Sequence, residues 1–272
     1  MIEQFSTYLR ACKGYSENTI KAYSKDLHTF ARWARETNVN ASWSTITRDD
    51  IDAYLTYQQR QGLAAATTNR HLAAISSLYN FFRRQGHDLP NPCKYESRRK
   101  IGERVPVTIP VSQFKEAYSH STGTTKAMLG LLATTGIRIQ ELLDITFEDI
   151  NQEESTIIIK GKGNKERTVQ TEPHIIEDII SSSTNRPAIG KVFHFNQRTA
   201  RYLIFKALSP YCTSRQLSPH IIRHTYATEL AKNGENAMTI AKALGHNQIK
   251  TSQKYVDMTQ LLTPTMGICL TK

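Results

Sequence analysis

Four short stretches carry side chains suited to handling a phosphate. In "SPHIIRHTYATEL", beginning at Ser218, His220 and Arg223 stand three residues apart. They share one face of a helix near its N-terminus, where an anion is already favoured. In "TTGIRIQELLDI", Arg138 follows Gly136 and opens a short apolar helix, with Glu141 three residues on as its natural partner. A guanidinium in such a place is costly unless it is paired. The stretch "GKGNKER" places Lys162 between two glycines, in a turn that could lower a lysine into a groove; the order of a Walker loop is absent. In "LGHNQIKTSQKYV", His246 follows the helix-ending Gly245, and Tyr255 comes nine residues later. Each has a plain structural alternative: a surface His–Arg pair, an Arg–Glu pair that only holds the fold, a solvated turn lysine, a loop histidine, a core tyrosine.

The elements that must position these groups fall into two parts. The first part reads as about four helices, residues 1–95. Ser16 caps a helix carrying Ile20, Tyr23, Leu27, Phe30 and Trp33 at helical spacing. Thr47 and Asp50 mark a second start, and Leu72, Ile75, Leu78 and Phe81 form a further stripe. A proline-rich, basic connector follows over 96–107, with Arg98, Arg99 and Lys100 in it. Residues 108–272 are mixed. Two β-branched runs around "GKGNKER" predict a hairpin, "KVFHF" a third strand, and the rest short helices, one of them started by Ser218-Pro219. The fold class is therefore mainly α with a small antiparallel sheet.

Composition narrows the partners. The 272-residue chain has a net charge of +11, with +6 on residues 1–100 and +5 on the remainder, so both parts are basic. A polyanion contacted along the whole length fits this. No run of about 18 apolar residues is present, which excludes a transmembrane helix. The opening sixteen residues lack the layout of a signal peptide. Cys12, Cys93, Cys212 and Cys269 lie far apart, as reduced thiols of a cytoplasmic protein do, and no histidine or cysteine has metal-ligand spacing.

Taken in order, Arg138, Lys162, His220, Arg223, His246 and Tyr255 resemble the signature of the tyrosine recombinases, the lambda-integrase family, and within it the short Xer-like members. The motifs "TGIRIQEL", "GKGNKER", "SPHIIRHTYAT" and "LGHNQIKTSQKY" carry the resemblance, and the helical first part is similar to the family's SAM-like core-binding domain. The sequence departs in having Ile137 before the arginine and "VDMTQ" after Tyr255. The resemblance implies a site-specific recombinase that cuts and rejoins double-stranded DNA through a 3′-phosphotyrosyl link, with no metal and no cofactor. Arg138 and Arg223 would clamp the phosphate, Tyr255 attack it, and Lys162 protonate the leaving 5′ oxygen, with Lys165 as the next candidate. His220 and His246 would assist, and Glu141 would orient Arg138. Arg70, Arg83, Arg84, Arg98, Arg99, Lys100 and Lys165 are candidate DNA contacts. The active form implied is a homotetramer on two synapsed sites, with an accessory or second recombinase as a possible partner.

Alternatives stay open at this level. Tyr226, three residues past Arg223, is the rival nucleophile, and His224 reads as packing or support. A type IB-like topoisomerase uses similar groups, and a non-catalytic DNA binder could keep the fold. The apolar tail "VDMTQLLTPTMGICLTK" could fold onto its own domain or dock into a neighbouring protomer.

Overall fold

The computed structural model describes residues 1–37, 42–94, 99–100, 102, 106–161, 166–182, 189–214, 216–246 and 248–262, with 260–262 described by their backbone only. Lys162, Lys165, Arg98, most of the expected connector and the tail from residue 263 lie outside the described residues. The chain divides into two compact units, Met1–Glu103 and Arg104–Lys272.

The first unit contains α1 (Ile2–Ala11), α2 (Glu17–Thr37), α3 (Arg48–Arg60) and α4 (Ala65–Arg84). The apolar stripes meet in one core in which Leu27, Phe30, Ile51, Ile75 and Leu78 are buried. Helix α3 opens with a capping box. The Asp50 amide donates to Thr47 Oγ1 (3.3 Å) and the Thr47 amide to Asp50 Oδ2 (2.8 Å). That arrangement contributes about 1 kcal/mol. Between α2 and α4 the core is polar. Buried Asp26 accepts from Arg70 Nε and Nη2 at 2.8 and 3.0 Å and faces His71 Nε2 at 3.1 Å. His71 Nδ1 in turn meets the Tyr54 hydroxyl at 2.9 Å. Arg70, expected as a DNA contact, thus has its fork engaged in tying α4 to α2, because a buried carboxylate must be paired.

The second unit runs α5 (Val111–Ser119), α6 (Gly123–Thr135), α7 (Ile139–Asp144), a short 3-10 turn (Phe147–Asp149), then β1 (Ile150–Asn151), β2 (Thr156–Lys160) and β3 (Glu166–Gln170). The helices α8 (Pro173–Ser181), α9 (Gln197–Leu208), α10 (Pro219–Lys232), α11 (Ala237–Leu244) and α12 (Lys250–Leu262) follow. The sheet is antiparallel in the order β1-β2-β3, with Ile157 opposite Val169 and Ile159 opposite Arg167. The expected hairpin is present. The expected strand at "KVFHF" is not: Lys191 makes one isolated bridge to Thr146, while Val192 and Phe193 are buried in the core. Its apolar residues fill space without joining the ladder, and the third strand is the two-residue β1. Helix α10 packs against α6, α11 and α12, so every helix of this unit bearing a singled-out side chain is α10 itself or touches it or its immediate neighbours. Ser218 stands at its N-cap with Pro219 in the first turn, although the Ser218 side chain makes no capping bond.

Candidate active site

Two helices end in the same way, and the site grows from those ends. Helix α6 stops at Gly136 and α11 at Gly245, both left-handed, with φ of 61° and 64°. Glycine takes this conformation without the penalty a Cβ brings. At Gly136 a Cβ would also overlap the Tyr226 ring. Each turn frees carbonyls at a helix C-terminus, the negative end of its dipole. Arg138, two residues past Gly136, and His246, directly after Gly245, emerge beside them.

Arg223 reaches from α10 into this gap. Its Nη1 donates to the Gly136 carbonyl at 2.7 Å and its Nη2 to the Leu244 carbonyl at 2.8 Å. The residue is 5% exposed, and it contacts no carboxylate through these two bonds. An isolated charge so placed would cost several kcal/mol. Two charge-assisted bonds of about 1.5–3 kcal/mol each, at two helix C-termini, offset that cost. Burial, and then the charge of Arg138, still lower its pKa to about 10, which leaves it cationic at neutral pH. A guanidinium carries five N–H donors, so donors beyond these two bonds remain for a ligand.

Arg138, whose side chain is 40% exposed, opens α7. Its amide donates to Glu141 Oε2 (2.9 Å), its Nη1 to Glu141 Oε1 (2.7 Å) and its Nη2 to the Gly245 carbonyl (3.2 Å). The expected Arg138–Glu141 pair is therefore present, and a second cation shares it. Arg167 of β3 donates to Glu141 Oε2 at 2.8 Å and to Oε1 at 3.3 Å. Burial alone would raise the Glu141 pKa. The bonds from Arg167 and Arg138 outweigh it and hold the carboxyl below its ordinary value. A cleft of about 690 Å³ opens here, lined by Arg138, Glu141, Lys160, Arg167, Gly245 and His246 among others.

The histidines are kept neutral. His246 Nδ1 meets Ser252 Oγ at 2.7 Å. Burial first, then Arg223 and Arg138, lower its pKa to about 4. His224 is likewise lowered to about 4, by burial and then by Lys254. His220 lies at the surface, but loss of water around its ring, followed by Arg223, Arg201 and Arg138, also lowers its pKa.

Tyr255 departs from expectation. For a nucleophile the sequence suggests a tyrosine on a short segment free to swing, with a core tyrosine as the open alternative. Instead it lies within the thirteen-residue α12, is 1% exposed, and packs with Ala227, Ile240 and Leu244. Its hydroxyl meets His224 Nδ1 at 2.6 Å, and Lys254 Nζ lies 4.9 Å from its ring centroid. Burial raises the phenol's pKa, and the nearby Arg223 opposes that rise. Tyr226 is half-buried against Gly136.

Arg138, Arg223, His246 and Tyr255, with Glu141, are thus joined by a short chain of contacts, and His220 lies within the field of both arginines. Lys254 and Arg167 are contributors the sequence did not single out, and His224, read from the sequence as packing or support, meets the Tyr255 hydroxyl. Arg167 had a signal: strand alternation places it on the inward face with Val169, where a cation is unexpected. Of the candidate DNA contacts, Arg83, Arg84 and Lys100 are exposed, and Arg84 Cζ lies 5.5 Å from the Tyr8 ring centroid. Arg99 is held by its backbone, its amide donating to Asn69 Oδ1 and its carbonyl accepting from Asn69 Nδ2, both at 2.9 Å.

The lowered histidines predict acid lability. A folded-state pKa near 4 lies below the unfolded value of about 6.5, so unfolding takes up protons as pH falls. Stability is complete above about pH 6.5 and declines toward pH 4, by up to about 1.4 kcal/mol per pH unit for each histidine, less whatever the partly exposed rings recover from solvent. Melting temperatures between pH 7 and 5 should fall in the intact chain and fall less in the His224→Gln/His246→Gln double variant. Equal slopes in the two proteins would refute the assignment.

The family model described as "Phage integrase family" matches residues 110–261, and "Phage integrase, N-terminal SAM-like domain" matches residues 2–86. Tyrosine recombinase XerC of Listeria welshimeri is 30% identical over 95% of this chain and 93% of its own length. Tyrosine recombinase XerD of Oceanobacillus iheyensis is 29% identical over 95% and 94%. Among solved structures, XerH site-specific recombinase bound to palindromic difH substrate superimposes with a TM-score of 0.78, at 20% identity, covering 96% of this chain and 83% of that one. The Tn1549 transposon integrase in complex with circular intermediate DNA gives a TM-score of 0.69 at 16% identity, over 96% and 98%.

Proposed function

Because the chain belongs to the phage integrase family, the tyrosine recombinases that cleave and rejoin DNA, we propose that it is a site-specific recombinase acting through Tyr255. The Tyr255 oxygen forms a bond to the scissile phosphorus, and the bond to the 5′ oxygen breaks. A 3′-phosphotyrosyl link and a free 5′-hydroxyl result. Arg138 and Arg223 neutralise the non-bridging oxygens as charge builds on them, a task suited to planar forks that stay charged. His224 Nδ1, 2.6 Å from the phenol in its buried position, is a neutral partner for the phenol proton, beside the assisting role of His220. His220 and His246 donate to the phosphate. Lys162 delivers the proton to the 5′ oxygen. The link retains the energy of the phosphodiester, so attack by a 5′-hydroxyl from a second duplex reverses the step on a new partner. Strand exchange of that kind calls for two duplexes and four protomers, and the basic surface of the first unit, with Arg83, Arg84 and Lys100, contributes phosphate contacts.

The observation that carries this reading is the convergence of Arg138 and Arg223 on two helix ends, with the Tyr255 phenol in the field of Arg223. A duplex nicked just beyond the cleavage site tests it, because loss of the short 5′ fragment traps the adduct. The expected result is a covalent protein–DNA species that joins its DNA to a second duplex when a 5′-hydroxyl is supplied. An adduct that only reseals its own strand points to a topoisomerase, and no adduct at all to a binding protein.

A further inference from the structure

The site holds one arginine that the proposed reaction leaves without a task. Resting on that reaction, we propose that Arg167 is a positioning residue: from β3 it fixes Glu141 and the Gly245 turn, and through them the guanidinium of Arg138 that faces the phosphodiester.

Arg167 lies on the inward face of the hairpin, opposite Ile159, and its side chain is 18% exposed. A cation there must have a partner, and both terminal nitrogens go to Glu141, at 2.8 and 3.3 Å. Its Nε is buried and has no hydrogen-bond partner among the described residues, so the head is anchored by the Glu141 fork. The same carboxylate accepts the Arg138 amide and Arg138 Nη1. One carboxylate therefore sits between a cation turned inward from a strand and a cation turned toward the cleft from a helix start. With both oxygens held by Arg167, the carboxylate cannot rotate, and Arg138 is offered one fixed acceptor.

Arg167 also braces the second support of Arg138. A Cβ at Gly245 would lie 2.9 Å from Arg167 Nη1 and 3.1 Å from Cζ, so the guanidinium lies directly against that glycine. The Gly245 carbonyl is the other acceptor of Arg138, and His246 is the next residue. Glycine at 245 thus suits both the left-handed backbone and the space Arg167 occupies. Arg167 touches both groups that aim Arg138, and it ties them to the hairpin.

Single-turnover cleavage of the nicked duplex by the full-length protein tests this. Arg167→Ala should bind DNA as wild type does but cleave about 10- to 100-fold more slowly, the range that loss of the partners orienting metal ligands produces in metalloenzymes. Arg167→Lys keeps the charge but not the fork and should recover only part of the rate. Adding Glu141→Gln to Arg167→Ala should cost little more, because the two act in one chain. The decisive arm is a duplex whose scissile phosphate carries a methyl group in place of one non-bridging oxygen. That neutral centre needs less from Arg138, so the Arg167→Ala deficit should shrink on it. An equal deficit on both substrates, full recovery by lysine, or weakened binding at an unchanged rate would each overturn the proposal. A lower melting temperature with normal cleavage by the folded protein would do the same. If wild type itself forms no adduct, it is the underlying reaction that fails.

Discussion

Tyr255→Phe forms no covalent adduct with DNA, while its affinity for the duplex stays at the wild-type level. The substitution removes one oxygen, which is the proposed nucleophile. Affinity comes from many phosphate contacts on a chain of net charge +11, and Tyr255 at 1% exposure contributes none of them. The loss of activity is complete, because no second group can replace the attacking oxygen. The fold bears a small cost: His224 loses the partner at 2.6 Å, worth about 1 kcal/mol. Tyr226→Phe is the control, since its ring packs on Gly136 and keeps that role without a hydroxyl. Denaturing gels of the nicked duplex with the two variants decide between them. An adduct from Tyr255→Phe together with none from Tyr226→Phe reverses the assignment.

Arg223→Ala and Arg138→Ala each slow cleavage by at least about a hundredfold, as removal of a preorganised donor does. They differ in what else they break. Without Arg223 the Gly136 and Leu244 carbonyls lose buried partners, at about 1–3 kcal/mol each. Arg138 is part-exposed, and Glu141 keeps Arg167 when Arg138 is gone, so that variant melts close to wild type. The measurement is melting temperature beside single-turnover rate. If Arg223→Ala melts as wild type does, or Arg138→Ala cleaves normally, the two-helix account of the clamp is wrong.

The helical stripes, the hairpin, the Arg138–Glu141 pair and the Gly245 turn were legible in the sequence, because each rests on local spacing or on a backbone conformation glycine favours. What escaped depends on tertiary packing. The strand at Ile150–Asn151 is too short for any periodicity to announce it, whereas Val192 and Phe193 imitate a strand while filling the core. The depth of Tyr255 stayed undecided for the same reason, since an amphipathic helix presents a tyrosine identically whether it faces solvent or core. His224 looked like packing because its partner lies 31 residues away. Arg70 looked like a free cation because Asp26, 44 residues away, is an acid on an otherwise buried face.

The depth of Tyr255 bears on fidelity. A hydroxyl closed inside the protein cannot reach a phosphodiester until α12 shifts, so for a chain that cuts with this residue, stray cuts in the wrong DNA are governed by how often that helix loosens. Each 1.4 kcal/mol of seating makes a premature opening about tenfold rarer. The seat is made by Ala227, Ile240 and Leu244 beneath the ring and by Ser252, fully buried and bonded to His246. Accuracy in such an enzyme is set partly by core packing far from any base pair, and variants that loosen this seat would err at sites their DNA-reading surfaces still rejected.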